Sequence, residues 1–464
     1  MSEGRSMGTF DIVLYVISAL LFLDQLTAAA SVGAQVYFWW IFIAVVYVVP
    51  YILVVAELAT TYPNEGGIYD WIKRAYGARA AGNLSWLYWI NMMLFVPTAF
   101  LLFSGVFAQL FFPDMGYVAQ ASICIGLIVL MTLALCQDMK FAKWLPNIGA
   151  ILKLLFIIIL SVGGIYVAMT KGSATEFTTE TMMPQWGAGI GFLAMVVFNV
   201  SGWDTIACMS RHIKSPEKSI PKGFAIAGVV VIVMYLFATA GILVSVPVEE
   251  LGLINGFVDT FVSIFGNNNA LIIYALGAML MFTFFTNNVT WCMAANEAAM
   301  AAGQEGELPS VFAKMHPKTK APIGAALLGG AISIAEVILY GFMAKDAEEL
   351  FWVLLAFSTI IFFLPYLTMF SAFLRLRKID GVAHRPFKVK GGKAMVRLIA
   401  LSPFVVICAC IWFLLVPPGE PVDSLYLTSL LVGCVITIGV GMLMVNRCLA
   451  KMDNGEGEEI AESV

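Results

Sequence analysis

The sequence has little charge and few histidines for its length of 464 residues. Asp, Glu, Lys and Arg make up 12% of it and apolar types 61%, against about 25% and about 45–50% in soluble globular proteins. This composition excludes an ordinary soluble enzyme. The three histidines, His212, His316 and His384, lie outside the apolar runs, so they do not indicate a catalytic or metal centre inside a membrane.

Cysteine occurs in no functional pattern. The eight cysteines lie within apolar runs or at their ends, and their spacing is not that of metal ligands, so we interpret them as small core residues. No stretch outside the apolar runs exceeds about 25 residues, which leaves no room for a separate catalytic, nucleotide-binding or receptor domain. We expect no cofactor, no metal ion and no nucleic acid partner.

Long apolar runs make up most of the chain. Each is long enough, as a helix rising 1.5 Å per residue, to cross a hydrocarbon layer of about 30 Å. The sequence therefore predicts an all-α polytopic membrane protein with twelve transmembrane helices in a lipid bilayer. The predicted spans are 10–34, 38–61, 82–112, 116–136, 145–169, 188–211, 222–246, 268–296, 322–342, 350–374, 396–416 and 424–446.

Basic residues are distributed unevenly between the predicted loops. Of the 26 Lys and Arg residues, 23 fall on the side that carries both termini, whereas Lys171 and Lys345 fall on the other side. Because basic loops stay in the cytoplasm, this pattern predicts cytoplasmic termini, and we expect the inner membrane of a prokaryotic cell. The apolar run from Ile12 to Leu23, followed by Ala28–Ala30, also resembles a cleaved signal peptide, which would leave eleven spans.

Two predicted spans are interrupted near their middles, at residues 24–33 of span 1 and 198–205 of span 6. Unwound backbone is tolerated at membrane depth only where it lines a cavity or packs on protein, and matched interruptions five spans apart are typical of inverted-repeat transporters. We therefore expect a single transporter domain over 1–464. Its parts are a first repeat at 10–169, a second at 188–374, two more spans within 396–446 and a disordered tail at 447–464. Two ordinary helix kinks are the alternative.

Four segments carry a family resemblance. Residues 56–77 read AELATTYPNEGGIYDWIKRAYG, residues 214–221 KSPEKSIP, residues 304–309 QEGELP and residues 385–392 RPFKVKGG. Together they resemble the amino acid–polyamine–organocation (APC) transporters, most closely the glutamate:GABA and agmatine:putrescine exchangers. The resemblance implies twelve spans, a five-plus-five inverted repeat, a substrate site between spans 1, 3, 6, 8 and 10, and alternating access.

Asp24 and Asp204 are ionisable residues within the two interruptions. A charge at the bilayer centre costs about 2.5–3.5 kcal/mol on insertion scales, so each should face a cavity or a partner. Two carboxylates suit a substrate with an ammonium or guanidinium group. In the resembled arginine:agmatine exchangers the acidic residue of span 6 is a Glu, and Asp204 matches it here. Alternatively, each carboxylate only hydrogen-bonds its broken helix.

Aromatic side chains supply the other half of a cation site, since a desolvated ammonium over a ring gains about 2 kcal/mol. By resemblance, Trp291 matches a cavity-lining Trp and Phe198 a gating aromatic, although packing explains either equally well. The predicted substrate-binding set is Asp24, Ala28, Ala29, Ala30, Trp89, Phe198, Ser201, Gly202, Trp203, Asp204 and Trp291.

Lys153 of span 5 resembles a family position where a lysine ammonium takes the place of sodium and bridges spans 1, 5 and 8. Exchange or proton coupling is then favoured over sodium coupling, and Lys153 is the predicted coupling residue; a permanent pairing is the alternative. We therefore predict a transporter, not an enzyme, that exchanges cationic amines such as agmatine or putrescine, as a monomer or homodimer. A glutamate, GABA or neutral amino acid exchanger, a proton-coupled permease and a sensor on a transporter scaffold remain alternatives.

Overall fold

A computed structural model describes residues 7–63, 66–137, 144–185, 190–191, 193–252, 255–341, 347–419 and 424–454. The side chains at positions 24, 208–212, 340–341, 347–353 and 425 lie outside this description. Apart from one isolated bridge between Met7 and Ile213, regular structure in these ranges is helical.

Seventeen helices are numbered here in chain order. They are α1 (Thr9–Leu20), α2 (Leu26–Ala30), α3 (Val36–Thr61), α4 (Ile68–Tyr76), α5 (Ala78–Phe111), α6 (Tyr117–Leu135), α7 (Trp144–Thr170), α8 (Thr179–Met182), α9 (Leu193–Asn199), α10 (Pro216–Ser245), α11 (Gly256–Phe265), α12 (Ala270–Gln304), α13 (Ser310–Ala313), α14 (Ile323–Gly341), α15 (Ala347–Ile379), α16 (Gly392–Leu415) and α17 (Ser424–Asp453).

Nine of the described helices are long and apolar enough to cross a membrane, namely α3, α5, α6, α7, α10, α12, α15, α16 and α17. The three other predicted spans coincide with α14 and with two interrupted helices, α1 with α2 and α9 with a 3-10 segment at Trp203–His212. The chain is therefore a multi-pass helical membrane protein, as predicted.

The last helix runs past its predicted end. We predicted that span 12 ends at 446 and that a disordered tail begins at 447, but α17 continues to Asp453. Residues 447–453 include Arg447 and Lys451, so their low hydropathy hid the helix from a search for apolar runs. The rest of the predicted tail, from 455 onward, lies outside the described residues.

The first interruption lies earlier in the chain than predicted. Helix α1 ends at Leu20, Leu21 and Phe22 are not helical, and Leu23–Gln25 form a 3-10 turn, whereas Leu26–Ala30 are helical again. The predicted break at 24–33 is therefore shifted by a few residues, and Ala28, Ala29 and Ala30 lie buried in α2 rather than in unwound chain. We call residues 21–25 the first break.

The second interruption lies within the predicted stretch of span 6. Helix α9 ends at Asn199, and Val200–Gly202 separate it from the 3-10 segment that begins at Trp203. Gly202 has φ +113°, a conformation that side-chain-bearing residues rarely adopt, so glycine is required for this path. We call residues 200–202 the second break.

We call the segments 62–63, 66–77, 305–322 and 380–391, together with the end of α17, the basic face of the molecule. Lys214 N donates to Met7 O at 2.8 Å, and Tyr62 Oη donates to Asp380 Oδ2 at 2.9 Å. Near the other chain end, Met452 packs against Gly306. The last two contacts, with those of Lys73 described below, hold these segments together, and the first pairs the start of the described chain with Lys214.

A buried carboxylate on the basic face joins distant parts of the chain. Glu57, near the end of α3, is 2% exposed. Arg377 binds it through two nitrogens, with Nε 2.7 Å from Oε1, and Arg385 Nε lies 3.2 Å from the same oxygen. Val389 N donates to Glu57 Oε2 at 2.7 Å. We call Glu57, Arg377, Arg385 and Val389 the Glu57 knot; it satisfies the charge with two cations and a backbone donor, as a buried ion requires.

Lys73 makes a second connection across the basic face. Its Nζ lies 2.8 Å from Glu307 Oε1 and 3.1 Å from Glu305 Oε2 in the loop after α12. Glu307 is buried, and burial raises the pKa of its carboxyl, while hydrogen bonding to Lys73 opposes that rise. The helix α4 and the loop after α12 are thereby tied together.

The Glu57 knot gives a stability prediction. Arg377→Gln leaves Glu57 with one cation, and breaking a buried ion pair costs about 3–5 kcal/mol, of which Arg385 should recover part. We expect the apparent melting temperature in detergent to fall by several degrees. Lys378→Gln is the matched control because Lys378 is the next residue in the chain and its side chain is exposed. Equal melting temperatures for the two variants would contradict the knot's role.

Candidate substrate site

Five buried aromatic side chains meet in the interior of the bundle. We call Phe22, Phe95, Phe198, Trp291 and Phe362 the ring cluster. The Phe22 ring centroid lies 5.1 Å from that of Phe198 and 5.6 Å from that of Trp291. Phe362 lies 4.5 Å from Phe198 and 5.6 Å from Trp291, and Phe95 lies 5.4 Å from Phe198. The rings come from the first break, α5, α9, α12 and α15, which correspond to predicted spans 1, 3, 6, 8 and 10.

Asp204 places a carboxylate beside the second break. It is fully buried, and its Oδ1 accepts a hydrogen bond from Tyr51 Oη at 2.7 Å. Its Oδ2 makes no hydrogen bond of strict geometry among the described residues, but the hydroxyls of Tyr88 and Tyr366 lie close enough to interact with the carboxyl. The Tyr366 ring lies 5.6 Å from that of Tyr51 and 4.9 Å from that of Phe362, so the carboxylate and the ring cluster form one continuous site.

The unwound backbone of the first break is held by side chains from other helices. Phe22 N donates to Tyr235 Oη at 2.7 Å, and this hydroxyl lies 2.5 Å from Leu20 O. Trp291 Nε1 donates to Ala19 O at 2.8 Å. Such partners are needed because water is absent at membrane depth and each unsatisfied backbone group costs several kcal/mol.

Tyr235 also reaches the other interrupted helix. Its Oη lies 3.0 Å from Asn199 O, the last residue of α9. The ring of Tyr235 stacks on Trp40 of α3 with the centroids 4.5 Å apart. A single phenol on α10 therefore contacts the backbone of both interrupted helices.

The second break is fixed by tyrosines of α3. Tyr47 Oη and Ser201 Oγ are 2.7 Å apart, and Gly202 N donates to Tyr51 Oη at 3.3 Å. A methyl group at Gly202 would clash with the Trp291 ring. Glycine is thus required both by its backbone angle and by the close approach of the indole.

Lys153 lies behind the first interrupted helix. Its Nζ donates to Ser18 O at 2.6 Å and to Asn287 Oδ1 at 2.8 Å, and the side chain is 1% exposed. It connects α7, α1 and α12, the bridge between spans 5, 1 and 8 that the resemblance implied.

The structure brings together some of the predicted site residues and not others. Phe198 and Trp291 lie in the ring cluster, and Ser201, Gly202 and Asp204 lie at or next to the second break. Of the remaining predicted residues, Trp203 follows the second break but its ring points away to α10, and the others lie apart from the site. Trp203 donates to Val200 O at 2.8 Å and packs on Phe224 of α10, Trp89 donates to Asn296 Oδ1 at 2.9 Å and packs on Phe312, and Ala28–Ala30 are helical. The side chain of Asp24 lies outside the described part of the structure.

Several residues of the site escaped the sequence prediction. Phe22, Phe95 and Phe362 are three of 34 phenylalanines, and their spacing does not separate them from those that face lipid. Tyr51 and Tyr235 sit within apolar runs, where tyrosine is commonplace. The one sequence signal for these two tyrosines is that unwound backbone inside a membrane needs hydroxyl partners from other helices.

The hydrogen bond from Phe22 N to Tyr235 Oη at the first break can be tested by measuring stability. Tyr235→Phe removes the hydroxyl that serves Phe22 N, and a buried group left without its partner costs about 1–3 kcal/mol. We expect a lower apparent melting temperature in detergent. Tyr166→Phe is the matched control, because this tyrosine of α7 is 56% exposed. Similar falls in melting temperature for both variants would count against a stabilising role for the Tyr235 hydroxyl.

Comparisons with known proteins agree with this architecture. Residues 7–440 match the amino acid permease family. A probable agmatine/putrescine antiporter of Lactococcus lactis is 30% identical over 97% of each chain. A branched-chain amino acid permease of Bacillus subtilis is 24% identical over 94% of this chain and 92% of its own. A probable polyamine transporter of Arabidopsis thaliana is 23% identical over 84% and 74%. The chain therefore belongs to the amino acid permease family, within the predicted APC superfamily, and is a membrane transporter rather than an enzyme.

Proposed function

We propose that this transporter exchanges small cationic amines of the agmatine and putrescine class, with the substrate bound between Asp204 and the ring cluster. The observation that carries the proposal is a fully buried carboxylate, without an ion-pair partner in the described structure, beside a wall of aromatic rings. The name of the Lactococcus lactis relative, a probable agmatine/putrescine antiporter, supports the same substrate class.

The charge of the site favours a cation. Asp204 is fully buried, accepts hydrogen bonds from tyrosine hydroxyls and forms no ion pair in the described structure. An uncompensated carboxylate at membrane depth is costly, so a bound ammonium or guanidinium group would stabilise it through a charge-assisted hydrogen bond. An anionic substrate would instead be repelled here.

The rings extend the site away from the carboxylate. An ammonium over a ring face gains about 2 kcal/mol once it is desolvated, and methylene groups pack well between aromatic side chains. A substrate with a cationic head and an apolar chain therefore matches Asp204 at one end and the ring cluster along its length.

We infer that alternating access opens the basic face. The Glu57 knot joins the first predicted repeat to the end of α15 and the loop after it, just beyond the second predicted repeat, and Lys73 joins the first repeat to Glu305 and Glu307 of the second. Both connections must loosen when the substrate leaves on this side. The ring cluster closes the path to the carboxylate until the interrupted helices move apart. By the distribution of lysine and arginine, we assign this face to the cytoplasm.

Lys153 is our candidate for the coupling residue. Its ammonium already occupies the junction of α7, α1 and α12, so we expect no sodium requirement. Exchange then needs no external ion. Proton coupling through Lys153 is the other possibility, and accumulation into empty vesicles under a proton gradient distinguishes it from exchange.

Transport in proteoliposomes tests the substrate class. Vesicles loaded with unlabelled putrescine should take up labelled putrescine and agmatine, whereas glutamate, GABA and leucine should not compete. Asp204→Asn should slow putrescine uptake about tenfold or more, because losing a charge-assisted hydrogen bond costs about 1.5–3 kcal/mol.

Asp259→Asn is the control for the same chemical change. Asp259 lies on α11, outside the ring cluster, and accepts a hydrogen bond from Gln109 at 3.0 Å. The Asp259→Asn variant should take up putrescine at the wild-type rate. Uptake confined to glutamate or to leucine would refute the amine assignment and support an amino acid exchanger. Saturable binding without flux would support a sensor.

The close approach at the second break gives a further test. Gly202→Ala should abolish most transport while the protein still purifies, because the added methyl group displaces the Trp291 ring. Gly266→Ala controls for backbone strain alone, since Gly266 has φ +72° but open space around its Cα. Wild-type uptake by Gly202→Ala would mean that Trp291 does not need its present position.

A further inference from the structure

A basic cleft of about 1080 Å³ opens on the basic face, away from the substrate site. It is lined by the end of α15, the loop 380–391 and the start of α16. Two of its lining residues, Arg377 and Arg385, belong to the Glu57 knot. Five more basic residues line it, namely Lys378, Lys388, Lys390, Lys393 and Arg397. Its described lining contains no acidic residue, and since Glu57 pairs only with Arg377 and Arg385, the other five basic residues give the cleft a net positive charge.

The Glu57 knot sets the direction of the lysines in the loop. Val389 is buried, and its N and O bind Glu57 and Arg377. Because side chains alternate in extended chain, the neighbours Lys388 and Lys390 point outward, and both are exposed. The knot thus presents these two ammonium groups to the cleft.

The start of α16 adds further positive potential. Gly391 and Gly392 have φ +107° and +72°, which turn the chain sharply into the 24-residue helix. Lys393 and Arg397, four residues apart, are exposed in its first two turns. In the described structure none of Lys388, Lys390, Lys393 and Arg397 forms an ion pair with an acidic side chain. Phosphate groups suit such a site because the partial positive charge of a helix N-terminus adds to that of the side chains.

Beside the cleft, α16 begins an exposed aliphatic surface. Directly after Arg397, the side chains of Leu398, Leu401 and Val405 are 61%, 50% and 61% exposed. Exposed aliphatic residues along a membrane helix face lipid chains. An occupant with a phosphate in the cleft would therefore have an apolar surface beside it for acyl chains, which a soluble anion could not use.

We propose that this cleft binds the headgroup of an anionic phospholipid, whose acyl chains lie along the exposed face of α16. Each Lys or Arg near a membrane surface adds to the attraction of anionic lipid. Through Arg377, Arg385 and Val389, the bound lipid touches the same residues that hold Glu57 of α3.

Native mass spectrometry of the purified full-length protein with dioleoyl phosphatidylglycerol tests the site. The double variant Lys393→Gln/Arg397→Gln should bind this lipid about 10- to 30-fold more weakly, whereas binding of dioleoyl phosphatidylcholine should not change. Lys218→Gln/Lys222→Gln is the matched control: both residues are exposed at the basic end of α10, are spaced four apart and lie outside the cleft. It should alter phosphatidylglycerol binding by about twofold or less.

A second double variant, Lys388→Gln/Lys390→Gln, removes charge from the loop rather than from the helix and should give the same loss. All four side chains are exposed, so the melting temperature without lipid should stay at the wild-type value. If Lys218→Gln/Lys222→Gln weakens phosphatidylglycerol binding as much, the weakening reflects general surface charge, and the proposal is overturned. Tripolyphosphate that binds the wild type as tightly as phosphatidylglycerol does, through the same residues, would identify a soluble anion site instead.

Discussion

Hydrogen bonding of unwound backbone inside a membrane is the constraint on which this structure depends. No water is available at that depth, so every N–H and C=O freed by the two breaks must find a protein partner. Tyr235 and Trp291 serve the first break, while Tyr47 and Tyr51 hold the second. These side chains belong to α3, α10 and α12. The breaks therefore keep their shape only when those helices are packed around them, and the substrate site is a product of the whole bundle.

Apolar periodicity located the helices well because twelve long runs have few competing interpretations. The first break was misplaced for a physical reason. Sequence reasoning looks for polar and small residues, which occur at 24–33, but the chain unwinds at Leu21 and Phe22, which are apolar. Their backbone can unwind because Tyr235 and Trp291, more than two hundred residues away, supply the hydrogen bonds. Local sequence contains no trace of that partnership.

The site was predictable to a similar degree. Asp204 stood out because charge is scarce in the spans, and Gly202 because it interrupts an apolar run. Phe198 and Trp291 emerged only through the family resemblance. Trp89 was also a candidate, but its indole N–H donates to Asn296, in a contact between α5 and α12. The Glu57 knot pairs residues 320 positions apart, and nothing in either local motif identifies the other.

The hydroxyl of Tyr235 carries one proton but lies within hydrogen-bonding distance of two carbonyl oxygens, at Leu20 and Asn199. It can donate to one of them at a time, while its lone pair accepts from Phe22 N. The two interrupted helices thus share a single donor. A shift of either helix changes which oxygen is nearer. The hydroxyl proton would then move from one carbonyl to the other, so its position depends on the relative placement of the two interrupted helices.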